Sequence, residues 1–346
     1  MRIVLAYSGR LEGSAAIAWL RERYRADIVA VTVDLGQGRE LEAIRDCALA
    51  LGAQRAHVLD ARDEFAQDFV VPALRADALG EGGLPFALEL GRPLIAQKLV
   101  QIARIERADR VAHTGGVSIE PSRLDTLLAA LAPDLQVLAP AREWPLRGAE
   151  LEAFGRSHGV RRVPGDMVRA ESNLWGRSFR FGENVESPLV PRATDGCPAE
   201  PATVDISFLQ GVPTALNDVA LPLVELIGSL GTLASTHGVG YVHGEAQVCD
   251  APAAVLLHAA HRELTRAAVA PEVEQFSLSV TGAYIDMLEH ARWFSPLRDA
   301  LDGYIAMAQT PVSGHVRLRL LKGTASTVAT ELTQPPARHR AVHAAS

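Results

Sequence analysis

Short apolar runs alternate with amphipathic stretches through the first half of the chain, a pattern that predicts parallel strands covered by helices on both faces. Ile3, Val4 and Leu5 lie in a run over residues 2–7 that reads as a strand, and Ile17, Ala18 and Leu20 belong to a helix beginning near Ser14. The alternation continues with a strand at 27–35, a helix at 41–51, a strand at 54–60 and a helix at 62–78, before a glycine break at 80–83. Leu94, Ile95, Leu99, Ile102 and Ala103 then recur with helical period over 93–107. A strand at 109–113, a helix at 124–131, a strand at 136–139 and a helix at 146–158 follow, and 159–165 reads as a boundary.

The second half has a different grammar. Strands at 203–209 and 316–321 are separated by long helices at 222–236, 253–268 and 277–294, an α+β pattern. The last stretch, 333–346, has no period and carries Pro335 and Pro336, so it is expected to be a mobile tail.

Composition narrows the class. A chain of 346 residues with 48% apolar content is long enough for two domains with real cores. The formal net charge of -7, with both signs mixed and no basic cluster, argues against a nucleic-acid or acidic-membrane partner and points to a small polar substrate. Cys47, Cys197 and Cys249 are too scattered for a disulfide framework or a zinc site. His237, His243, His258 and His261 show no ordered ligand spacing, so no metal site is expected. No leader precedes the first strand and no apolar run approaches the roughly 20 residues of a membrane span, so the protein is expected in the cytoplasm.

The chemistry concentrates at Ala6-Tyr-Ser-Gly-Arg-Leu-Glu-Gly-Ser14, which lies between a strand and a helix as a phosphate cradle would. Arg10 stands where a glycine would let the backbone close around an anion, and Glu12 adds a negative charge. Ser8, Gly9 and Ser14 also fit a plain helix cap, and Arg10 and Glu12 fit solvated loop charges. His113, at a strand end, suits a structural role better than that of a base. Trp175 and Arg177 suit packing better than chemistry.

Motifs in order along nearly the whole chain resemble the argininosuccinate synthase family of the N-type ATP pyrophosphatase superfamily. They are Ile3 to Gly9, Val31-Thr-Val-Asp-Leu-Gly-Gln37, Arg92-Pro-Leu-Ile-Ala96, Ala132 to Trp144, Asn173-Leu-Trp-Gly-Arg-Ser178, His237-Gly-Val-Gly240, Trp293 to Arg298 and Leu321-Lys-Gly323. The resemblance implies an N-terminal parallel-sheet, adenine nucleotide alpha-hydrolase-like (ATP pyrophosphatase) domain over 1–165, a second α+β domain of synthetase and multimerisation type over 166–332, and a homo-oligomer, dimer or tetramer. It also implies adenylation of citrulline by Mg-ATP and attack by aspartate. ATP would lie against Ala6, Tyr7, Ser8, Gly9 and Ser14, with Val33 and Asp34 at the adenine. Amino-acid substrates would meet Arg92, His113, Thr114, Arg123, Arg169, Ser178 and Asp250.

The same comparison exposes departures. The family's second loop glycine is Arg10, its aspartate Glu12 and the next hydroxyl residue Gly13. A paired Asn-Asp that holds both amino acids falls on Ile119 and Glu120, followed by Pro121, and the citrulline-binding Tyr and Ser/Thr fall near Leu84 and Leu88 or Glu89. Val168 and Arg169 replace a Tyr-Ser pair, and Asp250 is the nearest surviving acid in a shortened segment. The candidates for chemistry are therefore Arg10, Glu12, Glu120 and Arg123, with use of ATP and magnesium in question. These losses lead to the expectation that citrulline–aspartate ligation has given way to another small-molecule reaction in specialised biosynthesis. The alternative is a non-catalytic relative acting through oligomerisation or a partner, and the unaltered ligase ranks third.

Overall fold

In the computed structural model, which describes residues 1–38, 40–115, 123–144, 146, 148–160, 170–180, 196–243 and 247–333, the alternating first half builds a parallel sheet. Its strands are β1 (Arg2–Ala6), β2 (Asp27–Asp34), β3 (Arg55–Asp60), β4 (Arg110–Ala112) and β5 (Gln136–Leu138). They pair in the order β3-β2-β1-β4-β5, all parallel. The helices are α1 (Leu11–Tyr24), α2 (Leu41–Ala50), α3 (Arg62–Phe65), α4 (Val71–Arg75), α5 (Ala87–Ile105), α6 (Arg123–Leu131), α7 (Pro140–Glu143) and α8 (Gly148–Ser157). Contacts divide the chain into two units: unit 1 is Met1–Phe65, Leu88–Arg169 and Met287–Ser295, and unit 2 is Ala66–Ala87, Ala170–Asp286 and Pro296–Ser346.

The core of unit 1 follows from the period of the strands. Ile3 and Leu5 of β1 and Ile28 and Ala30 of β2 pack with Ile17 and Leu20 of α1 in one cluster, because alternate strand residues share a face. Small residues on α1, Ala15 and Ala16, let that helix approach the sheet, and Trp19 meets Trp144 edge-on at 5.9 Å between ring centroids.

Three helices differ from the pattern-based expectation. α1 begins at Leu11 rather than near Ser14, because Arg10 is already extended (φ −76°, ψ 162°) and Glu12 favours the positive end of the first turn. The helix expected over 62–78 is broken by a π-turn at Ala66–Val70. α5 starts six residues before Pro93, so the proline sits inside a helix instead of opening it.

Unit 2 holds many more strands than the two expected. Those are β6 (Ala170–Asn173), β7 (Gly176–Arg180), β8 (Ala202–Leu209), β9 (Val212–Leu216), β10 (Val219–Ala220), β11 (Tyr241–His243), β12 (Gln247–Asp250), β13 (Gly314–Leu321) and β14 (Thr324–Leu332). One antiparallel sheet runs β10-β9-β8-β13-β14 and a second runs β11-β12-β7-β6. The missed strands are joined by tight turns whose residues have positive φ: Gln210 (51°) and Gly211 (78°), Asn217 (49°) and Asp218 (63°), and Lys322 (43°) and Gly323 (82°). Two consecutive residues with positive φ are what a short hairpin needs. Helices α9 (Leu223–Thr236), α10 (Pro252–Ala268), α11 (Pro271–Glu289) and α12 (Pro296–Ala308) complete the unit. α11 opens six residues ahead of the expected 277, with Pro271 in its first turn and Glu272 and Glu274 masking the apolar period there. No helix among the described residues is long and apolar enough to cross a membrane.

Candidate functional site

The order of the parallel sheet creates a switch point. The chain moves from β1 to β2 to β3 on one side and then returns to place β4 on the other side of β1. In open parallel sheets a crevice forms beyond the carboxyl ends of the two strands flanking such a point. The residues just past β1 are Tyr7 to Arg10, and those just past β4 are His113 to Gly115. Topology alone therefore brings the phosphate-like loop and His113-Thr114 to neighbouring strand ends, with Val33 and Asp34 closing β2 beside them.

The loop after β1 is short. Gly9 has φ +75°, and a Cβ there would stand 3.1 Å from the Ile44 side chain, so both conformation and space require glycine. Arg10, by contrast, is in a conformation any residue adopts. Glu12, Gly13 and Ser14 belong to the first turn of α1, where backbone N–H groups lack acceptors four residues back. Tyr7 and Ser14 face inward: both are buried and their hydroxyls lie 3.0 Å apart. Burial and a hydrogen bond with Cys47 push the Tyr7 phenol up from its ordinary range. A methyl on Gly13 would press on the Tyr7 ring at 3.2 Å, which accounts for glycine there.

Hydrogen bonds lock the neighbouring strand end. Thr32 Oγ1 donates to the Tyr7 carbonyl at 3.0 Å, tying β2 to the loop. Gln37 Nε2 donates to the Val33 carbonyl at 2.8 Å, the Leu35 N–H donates to Gln37 Oε1 at 2.7 Å, and the Gly36 N–H donates to Asp34 Oδ1 at 2.9 Å. Gln37 was part of a quoted motif but not a predicted site residue. Its contribution is to hold the turn after Asp34.

His113 is fully committed. The Gly115 N–H donates to its Nδ1 at 3.1 Å, so Nε2 carries the proton and donates to Asp125 Oδ1 at 2.8 Å. Asp125 is held in turn by Arg142. Arg123 and Arg92 converge on one carboxylate: Arg123 Nη1 lies 2.8 Å and Arg92 Nη1 3.6 Å from Glu89 Oε1. Trp293 and Pro93 line the same small hollow. Glu89, in the first turn of α5, entered the sequence reading only as a lost contact, and nothing local in the chain signals that two arginines meet it.

In unit 2, Ser178 of β7 is buried and its hydroxyl lies 3.7 Å from Cys249 Sγ on β12. Asp250 pairs in register with Arg177 and Tyr241. Burial raises its carboxyl above the usual range, opposed by the Arg177 charge. Glu120 and Arg169 lie outside the described residues.

With this frame in view, similarity to known proteins is decisive. The family descriptions Arginosuccinate synthase N-terminal HUP domain and Arginosuccinate synthase C-terminal domain match residues 2–161 and 173–334. A protein named argininosuccinate synthase from Symbiobacterium thermophilum is 42% identical over 94% of this chain and 86% of its own length. The chain belongs to the argininosuccinate synthase family. Argininosuccinate synthases from Rubrobacter xylanophilus and Geobacillus kaustophilus are 40% and 39% identical, over 95% and 94% of this chain and 85% and 84% of their own lengths.

Membership at this level overturns the expectation of a repurposed or non-catalytic protein. Relatives bearing the argininosuccinate synthase name remain about two-fifths identical over almost the entire chain. The sequence reading gave too much weight to a few loop positions, for a physical reason. Arg10 was taken to occupy a place that needs glycine, yet its backbone is ordinary extended chain, and the left-handed position in the loop is Gly9. Glu12 was placed inside the cradle, yet it rides on the first turn of α1. Argininosuccinate synthase family scaffolding thus survives around those substitutions.

Proposed function

We propose that this protein is an ATP-dependent carbon–nitrogen ligase that condenses citrulline with aspartate to give argininosuccinate, AMP and pyrophosphate. The observation that carries this reading is the 42% identity, over 94% of the chain, with a protein of that name. The ureido oxygen of citrulline attacks the α-phosphorus and pyrophosphate leaves. The aspartate amine then attacks the activated carbon, AMP leaves with the C–O electron pair, and the amine proton passes to solvent or a base.

The residues divide the work as follows. Val33 and Asp34, with Ala6 and Tyr7, would form the backbone edge for adenine, and Ser8, Gly9 and the first turn of α1 around Ser14 would hold the phosphates through N–H groups. Arg10 adds a guanidinium beside that loop, suited to pyrophosphate. Magnesium comes with ATP, held mainly by phosphate and water, and Glu12 supplies a protein carboxylate at the loop. Arg92 and Arg123 would take amino-acid carboxylates, displacing Glu89. Thr114 offers a hydroxyl, and Glu120, Arg169, Ser178 and Asp250 complete the amino-acid contacts. His113 keeps the loop after β4 in place rather than moving a proton, since both its nitrogens are engaged.

The same reading assigns residues 1–165 to the nucleotide and 166–332 to synthetase and self-association functions, in a cytoplasmic dimer or tetramer. Phe276 and Met307, 59% and 75% exposed, supply apolar surface for association. The test is turnover. Protein incubated with citrulline, aspartate, ATP and magnesium should release pyrophosphate and form argininosuccinate, detected by mass, only when all three substrates are present. Absence of product at enzyme concentrations comparable to substrate overturns the proposal.

A further inference from the structure

Unit 2 contains a cavity of about 300 Å³, walled by α4 and the residues just after it and by α10, α11 and α12. That volume is at the lower end of small-molecule sites. The wall contributed by α10 is unusual. His258, His261, Arg262 and Thr265 are spaced i, i+3, i+4 and i+7, so they form one stripe, and two of them, His258 and His261, are almost wholly buried. An inward helical stripe is ordinarily apolar.

Part of this stripe is satisfied. Asp77 accepts from His258 Nδ1 at 3.0 Å and from Arg262 Nε at 2.6 Å. His261 Nε2 donates to Gln309 Oε1 at 2.8 Å, which leaves Nδ1 as a bare lone pair. Burial pushes His261 down to about 4, opposed by the Gln309 hydrogen bond, so the ring is neutral near pH 7. Three residues of the wall carry a buried polar atom with no hydrogen-bond partner among the described residues: Nε of Arg75, Nδ1 of His261 and Oγ1 of Thr265. Buried groups of this kind are normally paired, because leaving one unpaired costs about 1–3 kcal/mol.

The wall chemistry identifies a ligand class. Arg262 and Arg266 have carboxylate partners in Asp77 and Glu263, whereas no ion pair engages Arg75 among the described residues. A carboxylate suits Arg75. A bare imidazole nitrogen and a threonine hydroxyl suit an N–H donor. Leu278, Val280, Ile305 and Ala308 supply an apolar surface. We propose that this cavity binds a free aliphatic α-amino acid, with its carboxylate on Arg75, its amino group on His261 Nδ1 and Thr265 Oγ1, and its side chain against Val280 and Ile305. The site involves none of the residues assigned to ligation, and the proposal stands independently of that activity.

The test uses the full chain without ATP, citrulline or aspartate. L-leucine, L-isoleucine and L-valine are titrated in turn while the melting temperature is followed, with 4-methylpentanoate and 3-methylbutylamine as carboxylate-only and amine-only probes. At least one amino acid should raise Tm saturably, by about 2–4 °C at saturation, and each half-probe should give under half that shift. Arg75→Met and Thr265→Val should each weaken apparent affinity at least fivefold while preserving the circular dichroism spectrum and oligomeric mass. If Arg75→Met does not fold, the near-isosteric Thr265→Val decides. No saturable shift with any of the three amino acids, or unchanged affinity in the folded variants, overturns the proposal. An equal response to 4-methylpentanoate overturns the role given to His261.

Discussion

Two buried histidines, one in each unit, show how different the polar interiors of this protein are. His113 lies at the end of a parallel strand with one nitrogen accepting from Gly115 and the other donating to Asp125. His261 lies on a helix with one nitrogen bonded to Gln309 and the other unpaired at a cavity wall. Burial alone does not distinguish them, since they are 2% and 1% exposed. What differs is whether the lone pairs are used. At the sheet edge of unit 1, side chains brace one another and leave backbone N–H groups to face a ligand. In unit 2 the side chains themselves are left wanting partners.

The sharpest way to break this contrast is at the loop braced from within. Gly9→Val imposes a branched side chain at φ +75° against Ile44, and should lower ligase turnover roughly a hundredfold by shifting the phosphate-facing backbone. Steady-state pyrophosphate release measures this, and near-normal turnover would remove the loop from the site. Next, His113→Leu deprives the Gly115 N–H of its acceptor and Asp125 of a donor, and should cost about 2 kcal/mol in urea unfolding. His261→Leu severs only the Gln309 bond and should cost about half as much. Equal losses would erase the distinction between the two histidines.

Acidification gives a similar but smaller effect. The folded-state value of His261, about 4, lies below the ordinary histidine value of about 6.5, so the unfolded chain takes up the proton first as pH falls. The stability tied to the neutral ring is present above pH about 6.5 and is lost progressively down to about 4. Between pH 7 and 5 this group should remove about 2 kcal/mol, an effect to which buried His258 adds in the same direction. Urea melts at the two pH values should show that slope in the wild type and a shallower one in His261→Leu. An unchanged slope in the variant would place the acid sensitivity elsewhere. The smallest effect concerns Glu89. Glu89→Gln removes an internal competitor for Arg92 and Arg123, and should lower KM for the amino-acid substrate about threefold, the scale of a partly exposed ion pair.

How much could be read in advance varied with the range of the interactions involved. The order of elements in unit 1 was plain from Ile3, Val4 and Leu5, from the 27–35 run and from the helical period around Leu94 and Leu99. β13 announced itself by strict alternation, with Val316, Leu318 and Leu320 buried between outward residues. β9, β10 and β14 were missed because their short strands are half polar. Gln210-Gly211, Asn217-Asp218 and Lys322-Gly323 were the signals, because such pairs accept the positive φ of a tight hairpin. Glu89 and Gln37 could not be assigned a role from the chain, since their partners are set by how helix and strand ends meet.

By itself, the sequence determined the family, the alternating first half and the requirement for a small residue at Gly9, because these depend on periodicity, on motifs in order and on local conformation. Whether Arg10 damages the loop depended on its φ, and whether His113 or His261 keeps an unused nitrogen depended on partners twelve and forty-eight residues away in the chain. Only the tertiary structure decided these points, because a buried polar atom is satisfied or left unpaired by the groups that folding brings beside it.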